Sequence, residues 1–295
     1  MMQIANRASV IAREAGALLR TYFERGVETE YKGDVDLVTV ADRASEEFIN
    51  QRLETEFPDF GIYGEEGTRI GMEQEYRWYI DPLDGTTNFA HGFPVYCVSM
   101  GLEHRAPGLA ADKDGELVAA IIYDPMRDEL FTAEKGAGAY LNGRRISVSK
   151  TPELGEALVA TGFPSRKRHE NPNIYFYQEF TLRSHGVRRA GSAALDLAYT
   201  ACGRIDAYWE FNLNAWDTAA GALLVTEAGG TMTGFDGSPF ELASREVLAT
   251  NGLLKEEMLT FFEDMFAGRE LAPILSPAEF AARRKARASS APGKI

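Results

Sequence analysis

The sequence is poor in the residues that build disulfide frameworks and transition-metal sites. Its 295 residues include 2 cysteines and 4 histidines. Cys97 and Cys202 stand in apolar or helical surroundings without the spacing of a disulfide pair, which favours a reduced, cytoplasmic environment. The histidines are scattered, with no His-x-His or His-x₃-His pair. A zinc or other transition-metal centre is therefore disfavoured.

Long apolar runs are also missing. No segment is apolar over the length that a bilayer requires, and Met1–Arg20 is amphipathic rather than a signal-peptide pattern. We therefore expect a soluble protein with no membrane partner. The 45% apolar content is enough to bury a large core. We expect a single domain over residues 1–270, made of two closely packed α/β halves whose boundary lies near residue 150.

Charge is distributed unevenly along the chain. The net charge is −13, yet residues 271–295 carry five basic residues against Glu279 alone. An acidic body argues against broad nucleic-acid binding. For the basic segment two interpretations stay open, a solvated flexible end and an arm that contacts RNA or a protein partner. Its Ser, Ala, Pro and Lys content favours the flexible tail.

Hydrophobic periodicity predicts mixed helices and strands throughout. An amphipathic helix ends near Gly26, and a second helix spans residues 41–57 before Pro58. The middle of the chain is rich in strand patterns, with a hairpin signal at Asn142-Gly143. Helices are predicted again near residues 191–202 and 217–228. This alternation indicates one α/β or α+β unit built of stacked layers.

The most informative segment runs from Trp78 to Phe89. An apolar strand pattern stops at Asp81 and Asp84, three positions apart, and a predicted helix start follows at Gly85-Thr86-Thr87. Two carboxylates at the end of a buried strand repel each other unless a cation neutralises them. Backbone N–H groups at the helix start can bind an anion. A metal and a phosphate would then meet here, which suggests a phosphatase.

Further carboxylates end other elements. Asp42 lies near a helix start, Glu65 lies in a glycine-flanked loop, and Asp217 follows Trp216. Taken singly, the two aspartates are typical helix caps and Glu65 is a typical solvated loop residue. Taken with the carboxylate pair above, they form an oxygen-only ligand set, which suits a hard cation such as Mg²⁺.

An aspartyl-phosphate mechanism is the nearest alternative. Its Asp-x-Asp-Gly-Thr pattern shares the ending Asp84-Gly85-Thr86. That mechanism needs a nucleophilic carboxylate two positions before the second one, on the same face of the strand. Here Asp81 is three positions away, so covalent catalysis is the weaker interpretation.

Three motifs, in this order, resemble those of the inositol monophosphatase family. They are Gly64-Glu65-Glu66, Asp81-Pro-Leu-Asp84-Gly-Thr-Thr-Asn-Phe89 and Trp216-Asp217-Thr-Ala-Ala-Gly221. The resemblance extends over nearly the whole chain, from about Val35 to Asn251. It implies a layered α-β-α-β-α sandwich with mostly antiparallel sheets, and a magnesium-dependent, lithium-sensitive phosphatase that is commonly a homodimer.

The resemblance also implies the metal ligands. Glu65, Asp81 and the carbonyl of Leu83 would bind the first Mg²⁺. Asp81, Asp84 and Asp217 would bind the second, and a third, weakly held ion would lie near Glu65. Two or three Mg²⁺ ions per active site are therefore expected.

Catalytic roles follow from the same resemblance. Glu65 and Thr86 would orient or deprotonate the attacking water, with Asp42 supporting Thr86. The backbone of Gly85 and Thr86 would hold the phosphate. Asp217 would hold the water that protonates the departing alkoxide.

A further stretch resembles the family's Lys…Asp-Leu-Val-Thr-x-x-Asp segment. It contains Lys32 and Asp36 before Asp42. The lysine lies one position nearer the first aspartate than in the mammalian form. Its role stays open between a site residue and a solvated lysine.

Substrate contacts are implied by two further segments. Gly191-Ser192-Ala193 would approach the sugar ring through backbone groups, and Glu210 would accept hydrogen bonds from its hydroxyls, beside Asp84 and Asp217. Arg188 and Arg189 belong either to the pocket edge or to a subunit interface.

The leading hypothesis is a phosphoric monoester hydrolase that acts on inositol monophosphates. The same chemistry on fructose 1,6-bisphosphate, histidinol phosphate, NADP or a 3′-phosphonucleotide is the alternative, and Thr87-Asn88-Phe89 favours the inositol branch. A third hypothesis, of another class, is a regulatory module that binds RNA or protein, and the intact carboxylates argue against it as the sole function.

Overall fold

The computed structural model describes residues 2–26, 29–31, 37–109, 113–164 and 171–289. The helices are α1 (Met2–Arg25), α2 (Val40–Glu56), α3 (Thr86–Ala90), α4 (Asn173–Arg183), α5 (Ala193–Ala201), α6 (Ala215–Glu227), α7 (Lys255–Phe266) and α8 (Pro277–Ser289), with a 3₁₀ turn at Leu154–Glu156. The strands are β1 (Thr29–Tyr31), β2 (Leu37–Thr39), β3 (Gly61–Gly64), β4 (Arg69–Ile70), β5 (Tyr76–Asp84), β6 (Cys97–His104), β7 (Glu116–Asp124), β8 (Glu129–Glu134), β9 (Gly138–Leu141), β10 (Arg144–Arg145), β11 (Leu158–Thr161), β12 (Gly186–Arg188), β13 (Ala207–Phe211), β14 (Thr231–Thr233) and β15 (Glu246–Thr250).

The first large sheet has eight strands in the order β10-β9-β8-β7-β6-β5-β3-β4. Its pairs are antiparallel except β3 with β5. Helices α1 and α2 cover one face, where Ile11 and Ile49 pack with Trp78 and Ile80 in one core cluster. The alternation of side chains along β5 directs these strand residues toward the helices.

Helices α5 and α6 form the middle layer, between the two large sheets. Leu195 and Leu224 share a core cluster with Ile122 of the first sheet and with Tyr208 and Val247 of the second. Gly101 of β6 allows α6 to approach closely, since a Cβ built there would lie 2.6 Å from the Cβ of Ala219. Burial on all sides explains why both helices are apolar around most of their circumference.

The second sheet has five strands in the order β12-β11-β13-β15-β14 and carries helices on its outer face. Phe176 and Phe180 of α4 and Phe262 of α7 pack against Trp209 and Leu248. Successive residues of β13 therefore face opposite layers, Tyr208 toward α5 and α6, Trp209 toward α4 and α7. The result is an α-β-α-β-α sandwich with mostly antiparallel sheets, as expected.

The sequence-based element predictions are confirmed for the first two helices, the hairpin and the two helices of the middle layer. Helix α1 ends at Arg25, before Gly26, whose φ is 75°. Leu141 pairs with Arg144, so Asn142-Gly143 is the turn between β9 and β10. Cys97 and Cys202 are free. Helices α4 and α7 lie where no helix is predicted.

The segment predicted as a flexible tail contains α8 in its described part. Before that helix, the backbone N–H of Ala272 donates to the buried carboxylate of Glu179 at 2.5 Å. The division into a phosphatase domain and a flexible tail stays a prediction. None of the helices in the described part of the chain has the length and apolarity needed to cross a membrane.

Candidate active site

One cavity of about 250 Å³ gathers almost all of the residues that the sequence predicts as ligands or substrate contacts. Its lining includes Glu65, Asp81, Leu83, Asp84, Gly85, Thr86, Gly191, Ser192, Ala193, Glu210 and Asp217. Asp42 does not line the cavity. It lies behind Thr86, whose Oγ–H donates to Asp42 Oδ1 at 3.0 Å.

Strand β5 carries the carboxylate pair into the cavity. Its pairing with β6 shifts register between Asp81 and Asp84, so the two carboxylates do not occupy ordinary successive positions of one ladder. Asp81 Oδ1 accepts the N–H of Leu83 at 3.0 Å, which fixes the turn. Gly85 then adopts a φ of 101°, and a Cβ there would lie 2.8 Å from the carbonyl oxygen of Val95. Glycine is required here for both reasons.

Asp84 links the strand to the middle layer. Its Oδ2 accepts the hydroxyl of Ser192 at 2.6 Å and the N–H of Ala194 at 2.7 Å. Asn88 reinforces this junction, since its Nδ2 donates to the carbonyl oxygen of Ala190 at 2.9 Å. Residues 191–193 are therefore held directly against the carboxylate pair.

Asp42 and Asp217 occupy equivalent places in their helices. Each is the third residue of its helix and forms a capping box, Asp42 with Thr39 in α2 and Asp217 with Asn214 in α6. Asp217 Oδ2 accepts the N–H of Asn214 at 2.6 Å. Both aspartates therefore cap helices, as each one alone predicts. Asp217 also lines the cavity, and Asp42 also bonds to Thr86.

The carboxylates of the cavity are held where ionisation is unfavourable. Burial and the neighbouring Glu65, Asp84 and Asp217 hold the pKa of Asp81 above its usual range. Burial also raises the pKa of Asp84, although the Ser192 and Ala194 hydrogen bonds oppose it. For Asp217, burial and the charge of Asp84 raise the pKa to about 7, against the bonds from Asn214. A cluster of this kind is stabilised by bound cations.

The donor set fits magnesium. The carboxylates of Glu65, Asp81, Asp84 and Asp217 line one cavity together with Leu83, and oxygen donors of this kind suit a hard cation. Across the described ranges, no three His, Cys, Asp or Glu side chains are already arranged to hold an ion. The fit therefore rests on ligand chemistry and on the raised pKa values, rather than on a preformed coordination shell.

Glu210 lies on β13 and is 9% exposed, so it is not an ordinary surface acid. Its Oε2 accepts the hydroxyl of Tyr208 at 2.5 Å. Burial is the main cause that raises its pKa to about 8, and the charges of Asp217 and Asp84 add to it. Gly162 faces this carboxylate, and a Cβ at that position would overlap it.

Several residues of the site are not predicted from the sequence. Asn173, fully buried, donates to Thr161 Oγ1 at 2.9 Å and to the carbonyl oxygen of Gly162 at 2.6 Å, and accepts Trp209 Nε1–H at 2.6 Å. It thereby holds the backbone opposite Glu210. Its signal in the sequence is weak, because Asn173 belongs to no motif and its partners lie in other segments of the chain.

Of the remaining sequence predictions, Arg188 and Arg189 lie in different environments. Arg189 lines the cavity, whereas Arg188 is an exposed residue of β12. Lys32 and Asp36 lie outside the described residues.

Comparisons with known proteins identify the family. Residues 1–265 match the model of the inositol monophosphatase family. An inositol-1-monophosphatase of Synechocystis sp. is 43% identical over 262 residues, 87% of this chain and 86% of that protein. A Pseudomonas aeruginosa protein named Nus factor SuhB is 44% identical over 268 residues, 88% of this chain and 94% of that protein.

A solved structure gives the same result at the level of the fold. The inositol monophosphatase from Anabaena (Nostoc) sp. matches with a TM-score of 0.78 and 39% identity, over 92% of this chain and 98% of that one. The layered fold described above is the fold of that solved structure. The chain therefore belongs to the inositol monophosphatase family of phosphatases.

Proposed function

We propose that this protein hydrolyses inositol monophosphates to inositol and phosphate with the help of Mg²⁺. The observation that carries the proposal is the meeting of the buried carboxylates, the Gly85-Thr86 helix start and Glu210 in one cavity. The family is in general magnesium-dependent, and the inositol-1-monophosphatase of Synechocystis sp. shares 43% identity. Phosphate release measured with and without Mg²⁺ tests the reaction itself.

The ligand set for two ions is Glu65, Asp81 and the Leu83 carbonyl for one, and Asp81, Asp84 and Asp217 for the other. A third, weaker ion near Glu65 completes the proposal. When bound, such ions stabilise the attacking and the departing oxygens of an in-line displacement. The hydrogen bonds that anchor two of these carboxylates support the proposal. Oδ2 of Asp84 accepts from Ser192 and Ala194, and Oδ2 of Asp217 accepts from Asn214.

Thr86 and Asp42 orient the attacking water. The Thr86 hydroxyl lies 3.0 Å from Asp42 Oδ1 and 3.2 Å from the carbonyl oxygen of Leu83. Both neighbours accept hydrogen bonds, so the Thr86 proton points to one of them and the oxygen lone pairs accept from a water. Glu65, in the same cavity, takes the proton of that water.

In an in-line displacement the phosphate lies between this water and the leaving group. Backbone N–H groups of Gly85 and Thr86, at the start of α3, hold the phosphate oxygens. Asp217 holds, at the leaving-group end, the water that protonates the departing alkoxide. Glu210 and the backbone of residues 191–193 then bind the ring hydroxyls.

The cavity favours a small polyol phosphate over a dinucleotide. Its volume of about 250 Å³ is below the roughly 300–1,000 Å³ of pockets that enclose drug-sized ligands. A hydrolysis panel should include inositol 1-phosphate, fructose 1,6-bisphosphate, histidinol phosphate, NADP and a 3′-phosphonucleotide. Poor turnover of inositol 1-phosphate beside good turnover of a rival would reject the inositol assignment and keep the phosphatase.

A second candidate function is regulatory contact through the C-terminal segment. Two observations favour it, the name Nus factor SuhB of a relative with 44% identity and the exposed Arg283 and Arg284 on α8. Deletion of residues 271–295 separates the two functions. A salt-sensitive RNA interaction that weakens while hydrolysis is unchanged would support the second one. The homodimer and the cytoplasmic location are likewise proposals, and light scattering and cell fractionation test them.

A further inference from the structure

A buried glutamate of α2 holds the turn that carries Glu65. We call residues 64–68, between β3 and β4, the Glu65 turn. Glu46 receives three hydrogen bonds from it: the N–H of Glu66 donates to Oε2 at 2.8 Å, and the N–H and hydroxyl of Thr68 donate to Oε1 at 3.2 and 2.6 Å. Both carboxylate oxygens therefore accept hydrogen bonds, Oε2 from the residue before Gly67 and Oε1 from the residue after it.

The turn is shaped to admit this carboxylate. Glu46 is 5% exposed, and a Cβ built on Gly64 would lie 2.5 Å from Glu46 Oε2. Only a glycine at position 64 leaves room for such an approach. The other side of the turn is bonded to the strand of the carboxylate pair, since the N–H of Glu65 donates to the carbonyl oxygen of Ile80 at 3.1 Å.

Glu46 is one of three buried polar residues of α2 that contact three segments of the site. Asp42 accepts from Thr86, the hydroxyl of Ser45 donates to the carbonyl oxygen of Pro82 at 2.9 Å, and Glu46 accepts from the Glu65 turn. Positions 42, 45 and 46 have the spacing of three and four that places side chains on one face. Helix α2 thus contacts Thr86, strand β5 and the Glu65 turn at the same time.

We propose that Glu46 is a positioning residue that sets Glu65 for magnesium binding. The inference rests on the proposed function, because it takes Glu65 to be a magnesium ligand. Glu46 touches no substrate. It holds the backbone that follows Glu65, while strand β5 holds the N–H of Glu65 itself, so the Glu65 carboxylate is ordered beside Asp81 before a metal binds.

The test is Glu46→Gln with Glu47→Gln as the matched control. Glu47 is the next residue of the same helix, is exposed, and loses the same charge on substitution. A glutamine at 46 keeps one acceptor oxygen and directs an NH₂ group at a turn donor. Calorimetric titration of the substrate-free protein should show Mg²⁺ binding weakened about 10–100-fold in E46Q and unchanged in E47Q.

Hydrolysis provides the second readout. For E46Q, the Mg²⁺ concentration at half-maximal rate should rise with the calorimetric Kd, while kcat at saturating Mg²⁺ should fall much less. A residue that only stabilised the fold would lower the unfolding midpoint and leave the Mg²⁺ Kd unchanged. That pattern would overturn the proposal.

If E46Q does not fold, Thr68 carries the test. Thr68→Val removes the hydroxyl bonded to Glu46 and leaves the backbone bonds, whereas Thr68→Ser retains the hydroxyl. Mg²⁺ binding should weaken in T68V and return toward the wild-type value in T68S. Equal Kd values for T68V and wild type would reject the positioning role.

Failure of the proposed function gives a different pattern. Wild-type protein that hydrolyses only a different phosphate but binds Mg²⁺ more tightly than E46Q would reject the substrate and keep the positioning role. Wild-type protein that shows no Mg²⁺ binding would reject both.

Discussion

Replacement of Thr86 by valine should remove one hydrogen bond from a buried carboxylate and disable the attacking water. Asp42 is 1% exposed and accepts from Thr39 N–H at 2.8 Å, Thr39 Oγ–H at 2.6 Å and Thr86 Oγ–H at 3.0 Å. Valine keeps the shape of threonine, so the lost bond dominates. A hydrogen bond to a charged group contributes about 1.5–3 kcal/mol to stability. With the two Thr39 bonds retained, we expect T86V to lose about 2 kcal/mol.

The sign of the pH dependence follows from the same contacts. Burial raises the pKa of Asp42, and the Thr86 bond lowers it. T86V therefore raises this pKa further. The destabilisation should be full at pH values where Asp42 is ionised in both folded proteins, and should decrease as the pH falls through the two pKa values and the carboxyl becomes protonated in both.

Urea unfolding and steady-state kinetics measure the two effects. Thr87→Val is the control, because Thr87 is exposed and carries the same substitution one residue later. T87V should stay within about 0.5 kcal/mol of the wild type. The kcat of T86V should fall about 10²–10⁴-fold, the range for a positioned proton-transfer group. A double-mutant cycle with Asp42→Asn should give a coupling energy above about 0.5 kcal/mol. Equal stabilities and rates for T86V and T87V would refute the reasoning.

Three other perturbations follow from the packing and charge of the site. Burial raises the pKa of Asp217 to about 7, so Mg²⁺ binding at pH 7 should release protons. For the same reason, Mg²⁺-free protein should lose stability as the pH rises through that value. Binding heats that do not depend on the ionisation enthalpy of the buffer would contradict the proton release. Gly162→Ala would push against Glu210, so KM for inositol 1-phosphate should rise roughly tenfold, which is about 1.4 kcal/mol, with the Mg²⁺ requirement unchanged; an unchanged KM would argue against Glu210 as a substrate contact. Gly101→Ala would place a Cβ 2.6 Å from that of Ala219 and should destabilise by about 1–3 kcal/mol in urea unfolding; a wild-type midpoint would show that α6 can move away.

The carboxylates that we propose as metal ligands can be recognised in the sequence because part of their signal is local. Asp81, Asp84 and the helix start at Gly85 lie within one strand, one turn and the beginning of one helix. A cation site is predicted there without a structure, because two carboxylates at the end of a buried strand repel each other unless a cation neutralises them. Glu65 and Asp217 depend on their motifs, because each alone resembles a loop residue or a helix cap.

The supporting residues depend on contacts between segments that are distant in sequence. Glu46 meets its partners 20 and 22 positions later, and Asn173 meets Trp209 36 positions later. Periodicity offers a partial signal, since Glu46 shares the buried face of α2 with Ile49 and Leu53. It indicates burial and does not identify the partner.

The outer layer of the second sheet illustrates a different limit. Phe176 and Phe180 are spaced by four, which is compatible with a helix face, yet aromatic residues also favour strands. Packing against Trp209 and Phe262 decides for the helix. Local propensity alone does not contain that information.

The decisive test of the metal assignment is Asp81→Asn. Asp81 is 2% exposed and is proposed to bind both ions, so the neutral amide should remove their shared ligand while retaining the side-chain shape. Phosphate release from inositol 1-phosphate should be measured over a range of Mg²⁺ for wild type and D81N, with urea unfolding as the check on the fold. We predict cooperative unfolding and a loss of turnover exceeding about a hundredfold at every Mg²⁺ concentration. A folded D81N protein with near-normal, magnesium-dependent activity would contradict the assignment.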